Sequence, residues 1–200
     1  MRSKYIFFKR FVDIIVAYIL LLIAYLPMAV IAFIIKITDG GPVIFRQRRI
    51  GKNGRCFICY KFRTMRCDAP SELSTKEFVN AVEYITPFGA FLRKTSLDEL
   101  PQLLNVLAGD MSLVGPRPLI SGEKDMHILR KELGVYNVRP GITGLAQVCG
   151  RDRLSDLRKA ECDAIYVSNM SFVGDLYIVL TTVKGVIKRD GINDLDKTVT

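Results

Sequence analysis

Residues 14–35 read IIVAYILLLIAYLPMAVIAFII, a run without a single charge and with Pro27 near its middle. A helix of that length reaches about 33 Å at roughly 1.5 Å per residue, enough to cross a bilayer core of about 30 Å. The run ties the chain to a membrane. Arg2, Lys4, Lys9 and Arg10 precede it, and Lys36, Arg46, Arg48, Arg49 and Lys52 follow it. Lys and Arg beside a membrane segment favour the cytoplasmic side, and here they do so at both ends. Proline removes a backbone donor and bends a helix. Two topologies accommodate this: a kinked single span, or a helix that enters from the cytoplasm, bends at Pro27 and returns to the same face.

The 200 residues suffice for one soluble domain beside the membrane element. A net charge of +9 suits an anionic partner. Next to a membrane segment, lipid head groups and phosphorylated substrates come first. No zinc finger, helix-turn-helix spacing or aromatic–basic interleaving points to nucleic acid. The five cysteines, Cys56, Cys59, Cys67, Cys149 and Cys162, are odd in number. They argue for a reducing cytosol and against a disulfide framework. With His127 the only histidine, small buried hydrophobes are the better reading of them than a zinc site. The apolar run is too long for a cleavable signal peptide.

Lys9 and Asp13 form an i, i+4 pair where the helix meets the membrane surface, which would neutralise a carboxylate there. Asp39-Gly40-Gly41-Pro42 turns the chain out of the helix. Residues 43–49 and 55–64, joined through Lys52-Asn53-Gly54, read as a β-hairpin with Lys61 and Arg63 on one face of its second strand. Residues 66–80 read as a loop or short helix. Thr86-Pro87 opens a helical stretch to Lys94. Residues 97–108 read as a helix with Leu97, Leu100, Leu103, Leu104 and Leu107 on one side. Residues 121–133 and 154–168 are further helices, and 175–189 is a core or interfacial helix. Gly144-Leu145-Ala146-Gln147-Val148 reads as packed loop or strand.

The sharpest chemical signal is Ser96-Leu97-Asp98-Glu99-Leu100-Pro101-Gln102. Ser96 and Glu99 fit a capping box, and Asp98 fits an N-cap with Pro101 in the first turn. In either register Asp98 lies among free backbone N–H groups, which also bind phosphate. An aspartate can attack phosphorus to form an acyl phosphate, and two carboxylates can hold Mg²⁺ with substrate phosphates. By themselves, capping outweighs catalysis. Arg93 and Lys94 lie just before the dyad. In Gly115-Pro116-Arg117-Pro118 the prolines fix the backbone around a guanidinium suited to diphosphate or a base edge. Arg139-Pro140-Gly141-Ile142-Thr143-Gly144 is a second basic loop, its glycines allowing close approach to a ligand or simply making turns. Asp163 and Asp175 read as structural hydrogen-bonding acids.

The segments KRFVD (9–13), GGPVIFRQRRIG (40–51), YKFRTM (60–65), LRKTSLDELPQLLNVLAGDMSLVGPRPL (92–119) and RPGITGLAQVCGR (139–151), in this order across most of the chain, resemble the bacterial sugar transferases. These are small monotopic polyprenyl-phosphate phosphoglycosyl transferases that initiate glycan assembly. The resemblance implies transfer of a phosphosugar from a UDP-sugar to undecaprenyl phosphate, with release of UMP, Mg²⁺ as cofactor and a covalent enzyme intermediate. It implies Asp98 as nucleophile close to the metal, and Glu99 as its partner in holding metal or acceptor. Arg117 becomes a nucleotide contact and Arg93 a phosphate contact, with Lys61 and Arg139 as further phosphate-site candidates. Asp13, Asp163 and Asp175 match family acids read as structural. Pro27 matches the proline at which the family's membrane helix bends back; Leu26 precedes it where many relatives carry serine. Leucine cannot bond the carbonyls that a bend frees, so a spanning topology stays open.

The expected fold is α+β: a membrane-embedded re-entrant helix hairpin over residues 1–38, a cytosolic catalytic domain over 39–190 with a β-hairpin and partly membrane-surface helices, and a tail over 191–200. Expected partners are UDP-sugar, undecaprenyl phosphate, membrane lipids, a second copy of the chain and downstream glycosyltransferases, without nucleic acid. The expected place is the cytosolic face of the inner (cytoplasmic) membrane. The competing expectation is a non-catalytic scaffold that recruits glycan-assembly enzymes and does not need Asp98.

Overall fold

Apolar residues at helical spacing make the N-terminal segment one helix, α1 (Arg2–Asp39), which continues through Pro27. The computed structural model describes residues 2–69, 81–150 and 153–188. Of the loop or short helix expected over 66–80, residues 70–80 lie outside the described residues, as does the tail from 191. The segment expected to re-enter the membrane is one helical element. Proline removes one N–H and bends a helix without having to end it, and here Met28, Ile31, Ala32 and Ile35 pack on Phe62 and Leu92 just past it. Earlier in the helix Ala17 and Leu21 pack on Cys59, Leu103, Val106 and Met111. The inward stripe of α1 therefore touches the domain along both halves of the helix. Its outer side exposes Phe7, Phe11, Leu22, Tyr25, Leu26, Phe33 and Ile37.

Polar contacts pin the start of α1. Lys9 Nζ lies 2.6 Å from Asp175 Oδ2 and 3.5 Å from Asp13 Oδ1. Asp13 in turn accepts from Ser112 Oγ at 2.7 Å and from the Leu113 N–H at 3.3 Å. All three charged groups are buried. The i, i+4 pair expected at the interface is thus one arm of an internal network, and the shorter arm reaches a residue 166 positions away.

The hairpin forms as the Asn-Gly signal requires. Strands β1 (Ile44–Ile50) and β2 (Cys56–Phe62) run antiparallel with Ile44 opposite Phe62 and Ile50 opposite Cys56. Asn53 and Gly54 take φ of 56° and 72° in the turn, a conformation these residues tolerate best. Along β2, Cys59 is buried while Cys56 and Ile58 are exposed. The C-x-x-C pair therefore points to opposite faces. Of the five cysteines, all free, only Cys59 is fully buried, and Cys56, Cys67 and Cys149 are exposed, which corrects the expectation that they fill the core.

Helix α2 (Pro87–Thr95) begins with Pro87 and is capped by Thr86 Oγ1, which accepts from the Gly89 N–H at 3.0 Å. It ends at Ser96, whose φ of 56° is left-handed. The single helix expected over 97–108 is interrupted at Pro101, which has no N–H to offer the Leu97 carbonyl. Leu97–Glu99 is a 3-10 turn, Pro101 follows, and α3 spans Gln102–Ala108. Neither expected cap forms, because an N-cap side chain needs extended backbone and Ser96 instead terminates α2. Leu104 is 48% exposed rather than aligned with the inward leucines. Asn105 on α3 is fully buried; its Nδ2 donates to Ile58 O at 2.7 Å and its Oδ1 accepts from the Tyr60 N–H at 3.0 Å. It occupies the free edge of β2 and fixes that strand to the helix.

Strand β3 (Ser112–Val114) runs parallel to β4 (Gly141–Thr143). A Cβ on Gly141 would collide with the Gly115 amide, and one on Gly144 with the Gly115 carbonyl. The glycines of the second basic loop admit another stretch of backbone, so close approach to a ligand is not their use. Helices α4 (Lys124–Glu132), α5 (Leu145–Cys149), α6 (Asp156–Ser168) and α7 (Phe172–Lys188) complete the domain. α5 replaces the expected loop or strand; its first turn closes on Gly144 O, which accepts from the Gln147 and Val148 N–H groups. α7 buries Asp175 and Ile178 and exposes Val173, Leu176, Tyr177, Leu180, Val183 and Ile187.

Replacing Asn105 with Ala strands the Ile58 carbonyl and the Tyr60 N–H at a buried edge. At about 1–3 kcal/mol per orphaned group, Asn105→Ala should lower unfolding free energy by roughly 2–4 kcal/mol, read by denaturant titration in detergent.

Candidate active site

Three elements bring charge to one place. The 3-10 turn carries Asp98 and Glu99, β2 carries Lys61, and the segment after β3 carries Arg117. Glu99 Oε1 lies 2.7 Å from Lys61 Nζ and 3.2 Å from Arg117 Nη1; Arg117 Nη2 is 3.3 Å from the same oxygen. Glu99 burial opposes ionisation, yet the Lys61 ammonium and then the Arg117 guanidinium hold its carboxyl well below the usual carboxylate range. Arg117 is correspondingly held above its ordinary value by Glu99.

Asp98 differs sharply from its neighbour. Among the described residues it makes no hydrogen bond or ion pair. Burial pushes its carboxyl up; Lys61, Arg93 and Arg117 act against that shift, and Glu99 adds to it. Two adjacent carboxylates thus have opposite environments, one locked by two cations and one free.

Arg93, on the last turn of α2, donates through Nε to Thr64 Oγ1 at 2.8 Å, and Asp98 is the charge that favours its ionised form against burial. Arg49 on β1 is a residue that the sequence reading missed. Its Nη1 donates to Pro118 O at 2.7 Å and its Nη2 to Gln47 Oε1 at 2.6 Å. Burial and then nearby Arg117 lower its pKa. Alternation along β1 puts Gln47 and Arg49 on the same face, a signal available but lost among three arginines in a strand of seven.

A second missed residue is Arg130 on α4, buried at 3% exposure. Its Nη2 lies 2.5 Å from Asp163 Oδ2, and its Nη1 donates to the Arg117 carbonyl at 2.6 Å. Asp163 and Arg130 therefore brace the Pro-Arg-Pro segment from behind. No local sequence signal joins residues 33 apart. Asp13 and Asp175 lie away from the dyad in the Lys9 network, where Asp175 Oδ1 also accepts from Tyr166 Oη at 2.8 Å. Arg139 is not brought to the dyad. Its Nε donates to Gly109 O at 2.7 Å, next to Arg10, whose Nη1 reaches Val106 O at 2.7 Å. Both serve the C-terminal carbonyls of α3, as basic side chains commonly do. Pro27 is exposed on α1.

An acidic dyad cradled by Lys61, Arg93 and Arg117, in a domain docked on a long apolar helix, defines a membrane-associated phosphate-handling class. The chain belongs to the bacterial sugar transferase family, whose signature matches residues 4–189. It is 40% identical over 200 residues to a Salmonella typhimurium protein named undecaprenyl-phosphate galactose phosphotransferase, covering 92% of this chain and 41% of that one. It is 39% identical over 198 residues to the exopolysaccharide production protein ExoY of Sinorhizobium fredii, with 92% and 87% covered. A Klebsiella pneumoniae protein named UDP-glucose:undecaprenyl-phosphate glucose-1-phosphate transferase is 41% identical over 190 residues, with 91% and 41% covered. The chain thus spans less than half the length of the Salmonella and Klebsiella relatives and most of ExoY.

Lys61 and Glu99 should be energetically coupled. Lys61→Met and Glu99→Gln should each destabilise the fold, and the double variant should lose less than their sum by about 1 kcal/mol, read from thermal unfolding of all four proteins.

Proposed function

We propose that this chain is a membrane-bound polyprenyl-phosphate sugar-1-phosphate transferase that uses Asp98 as a covalent nucleophile. The observation that carries the reading is the unpaired Asp98 carboxylate, surrounded by cations that its neighbour Glu99 orients. A carboxylate oxygen of Asp98 attacks the sugar-bearing phosphorus of a UDP-sugar. The bond from that phosphorus to the bridging oxygen breaks, and UMP leaves. A phosphate oxygen of undecaprenyl phosphate then attacks the same phosphorus, forming the diphosphate link and returning Asp98 as carboxylate. Splitting one displacement into two lets a soluble donor and a lipid acceptor use the site in turn. Lys61 and Arg117 stand where charge moves onto phosphate oxygens. Their pairing with Glu99 in the free site keeps both aimed there.

Mg²⁺ fits this donor set. It is commonly held by one or two carboxylates plus substrate phosphates. Asp98 is unpaired, and every contact of Glu99 uses Oε1, which leaves Oε2 for a metal. When bound, the ion would offset negative charge on the diphosphate.

For topology we favour re-entry at the cytosolic face of the inner membrane. Buried positions on both halves of α1 pack on one domain, which is hard to reconcile with ends on opposite sides of a bilayer. The exposed face of α7 continues the apolar surface of α1, with Phe8 and Phe172 rings 6.0 Å apart, as suits a helix lying on the membrane.

Purified protein with Mg²⁺, undecaprenyl phosphate and a panel of UDP-sugars should release UMP with at least one donor. Asp98→Asn should reduce release by at least about 10³-fold and abolish a trapped phosphosugar adduct. Continued glycan assembly in cells carrying Asp98→Asn would instead indicate a scaffold. Because burial holds the Asp98 carboxyl above its ordinary value, the acid limb of the pH–rate profile should lie above that ordinary value. Lys61→Met removes a group that lowers it, so the limb should move further up. Cysteines at positions 4 and 52, in a background without native cysteines, should both be labelled from the cytoplasmic side; labelling from opposite sides would establish a span.

A further inference from the structure

Residues 117–120 form a strap in which every carbonyl is bonded. Arg117 O accepts from Arg130 Nη1 at 2.6 Å and Pro118 O from Arg49 Nη1 at 2.7 Å. Leu119 O accepts from the Ile50 N–H, and Ile120 O lies 2.8 Å from His127 Nε2. A segment held at each peptide has little freedom to move. One end presents the Arg117 guanidinium to Glu99. The other leads to Ser121, on the wall of a groove of about 570 Å³, a volume typical of small-molecule sites. Four residues of extended chain reach at most about 14 Å, so the dyad and the groove lie within reach of one elongated ligand.

The groove is built from the hairpin turn, α4 and the 3-10 turn at 135–137. Asn53, Ser121, His127, Lys131, Tyr136 and Asn137 line it. Among the described residues, no acidic one does. The Asn53 and Asn137 amides each carry both donors and an acceptor. The His127 and Tyr136 rings are stacked with centroids 5.9 Å apart at 25°, and His127 Nδ1 is hydrogen-bonded to the Tyr136 hydroxyl. The lining is more apolar than polar, with amide and ring groups and a single ammonium, which suits an uncharged heterocycle and its sugar hydroxyls more than a second phosphate.

We infer that this groove holds the nucleoside end of the donor, an inference that rests on the transferase reading above. Arg117, bonded to Glu99, and Arg49, bonded to Pro118 O, lie at the dyad end of the strap. In a displacement at the phosphorus facing Asp98, cations on the far side meet the phosphate of the departing nucleotide. The nucleoside attached to that phosphate then continues past them along the strap. The hexose, joined to the attacked phosphorus, stays on the dyad side. A pyrimidine edge that alternates acceptor and donor matches the amides, and ring faces stack on aromatic side chains.

The test uses full-length protein in nanodiscs and the double variant Lys131→Met/Asn137→Ala, whose two positions are exposed and should leave the melting temperature unchanged. UMP binding by calorimetry should weaken roughly tenfold, and the loss should fall on KM rather than kcat, by the same factor for every UDP-sugar used. Tyr136→Leu should weaken UMP in the same direction. An unchanged UMP affinity in both variants, or no UMP binding by the unaltered protein, would overturn the assignment. So would an altered ranking of UDP-sugars with UMP affinity intact, which would place the hexose in the groove. UMP binding is read without turnover, so groove-dependent binding by a protein that transfers nothing would sink the transferase reading and keep the nucleoside site.

Discussion

One oxygen, Oε1 of Glu99, organises the site. It joins a turn, a strand and a proline-flanked segment that lie 18 and 38 positions apart in sequence. None of the three elements has a reason of its own to converge. Partial burial strengthens the attraction of the carboxylate for both cations, because less water screens them. The same burial would make either cation costly if left alone. The arrangement therefore holds as a unit, with Lys61 and Arg117 fixed by their shared counter-ion. Asp98, one residue earlier, receives the field of those cations without their bonds. Adjacent carboxylates set apart by environment are a recurrent way to divide roles between like groups.

The second constraint is the docking of α1. An apolar helix 38 residues long would ordinarily choose lipid over protein on every side. What draws it onto the domain at its start is polar: Lys9 between Asp13 and Asp175, with Ser112 and the Leu113 amide completing Asp13. Buried ion pairs contribute little net stability but specify geometry strongly, since a misplaced partner leaves a bare charge. Further along, Ile31 and Ile35 pack on Phe62, the last residue of β2, and Leu97 and Leu100, which flank the dyad, join the same cluster. The long apolar helix and the dyad turn thus share one core. That connection seats the dyad next to the apolar helix.

Much of this was legible in the sequence because the signals were local. Asn53-Gly54 between β-prone runs specified the hairpin, and Thr86-Pro87 specified the start of α2. The end of α2 before Leu97 was legible, but the interruption inside 97–108 was not, because proline suits a first helical turn as well as a break. The Ser96 cap is lost because that residue is left-handed and closes α2. Arg130 escaped notice because an arginine at an inward helix position reads as a surface residue until Asp163 is seen opposite it. Arg139 misled for the opposite reason: a basic residue in a Gly-rich loop suggests phosphate, but its reach to Gly109 O depends on where α3 ends. Long-range pairing decides such cases, and periodicity carries no information about it.

The same point bears on the net charge of +9. Read as composition, it promises an anion-binding surface. Residue by residue, much of it is spent inside. Lys9 lies between two aspartates, Arg10 and Arg139 serve the end of α3, and Arg63 holds Gly40 O at the exit of α1. Arg130 binds Asp163. Those cations answer carbonyls and carboxylates of the chain itself, so they add little to the field that an incoming phosphate meets. The ones that remain at the dyad are few: Lys61 and Arg117, already held by Glu99, with Arg93 on Thr64 and Arg49 on Pro118 O nearby. In the proposed reaction, a phosphate arriving at Asp98 would compete with Glu99 for cations already in place and would not have to recruit mobile ones. That preorganisation is worth more to a displacement at phosphorus than the overall basicity of the chain.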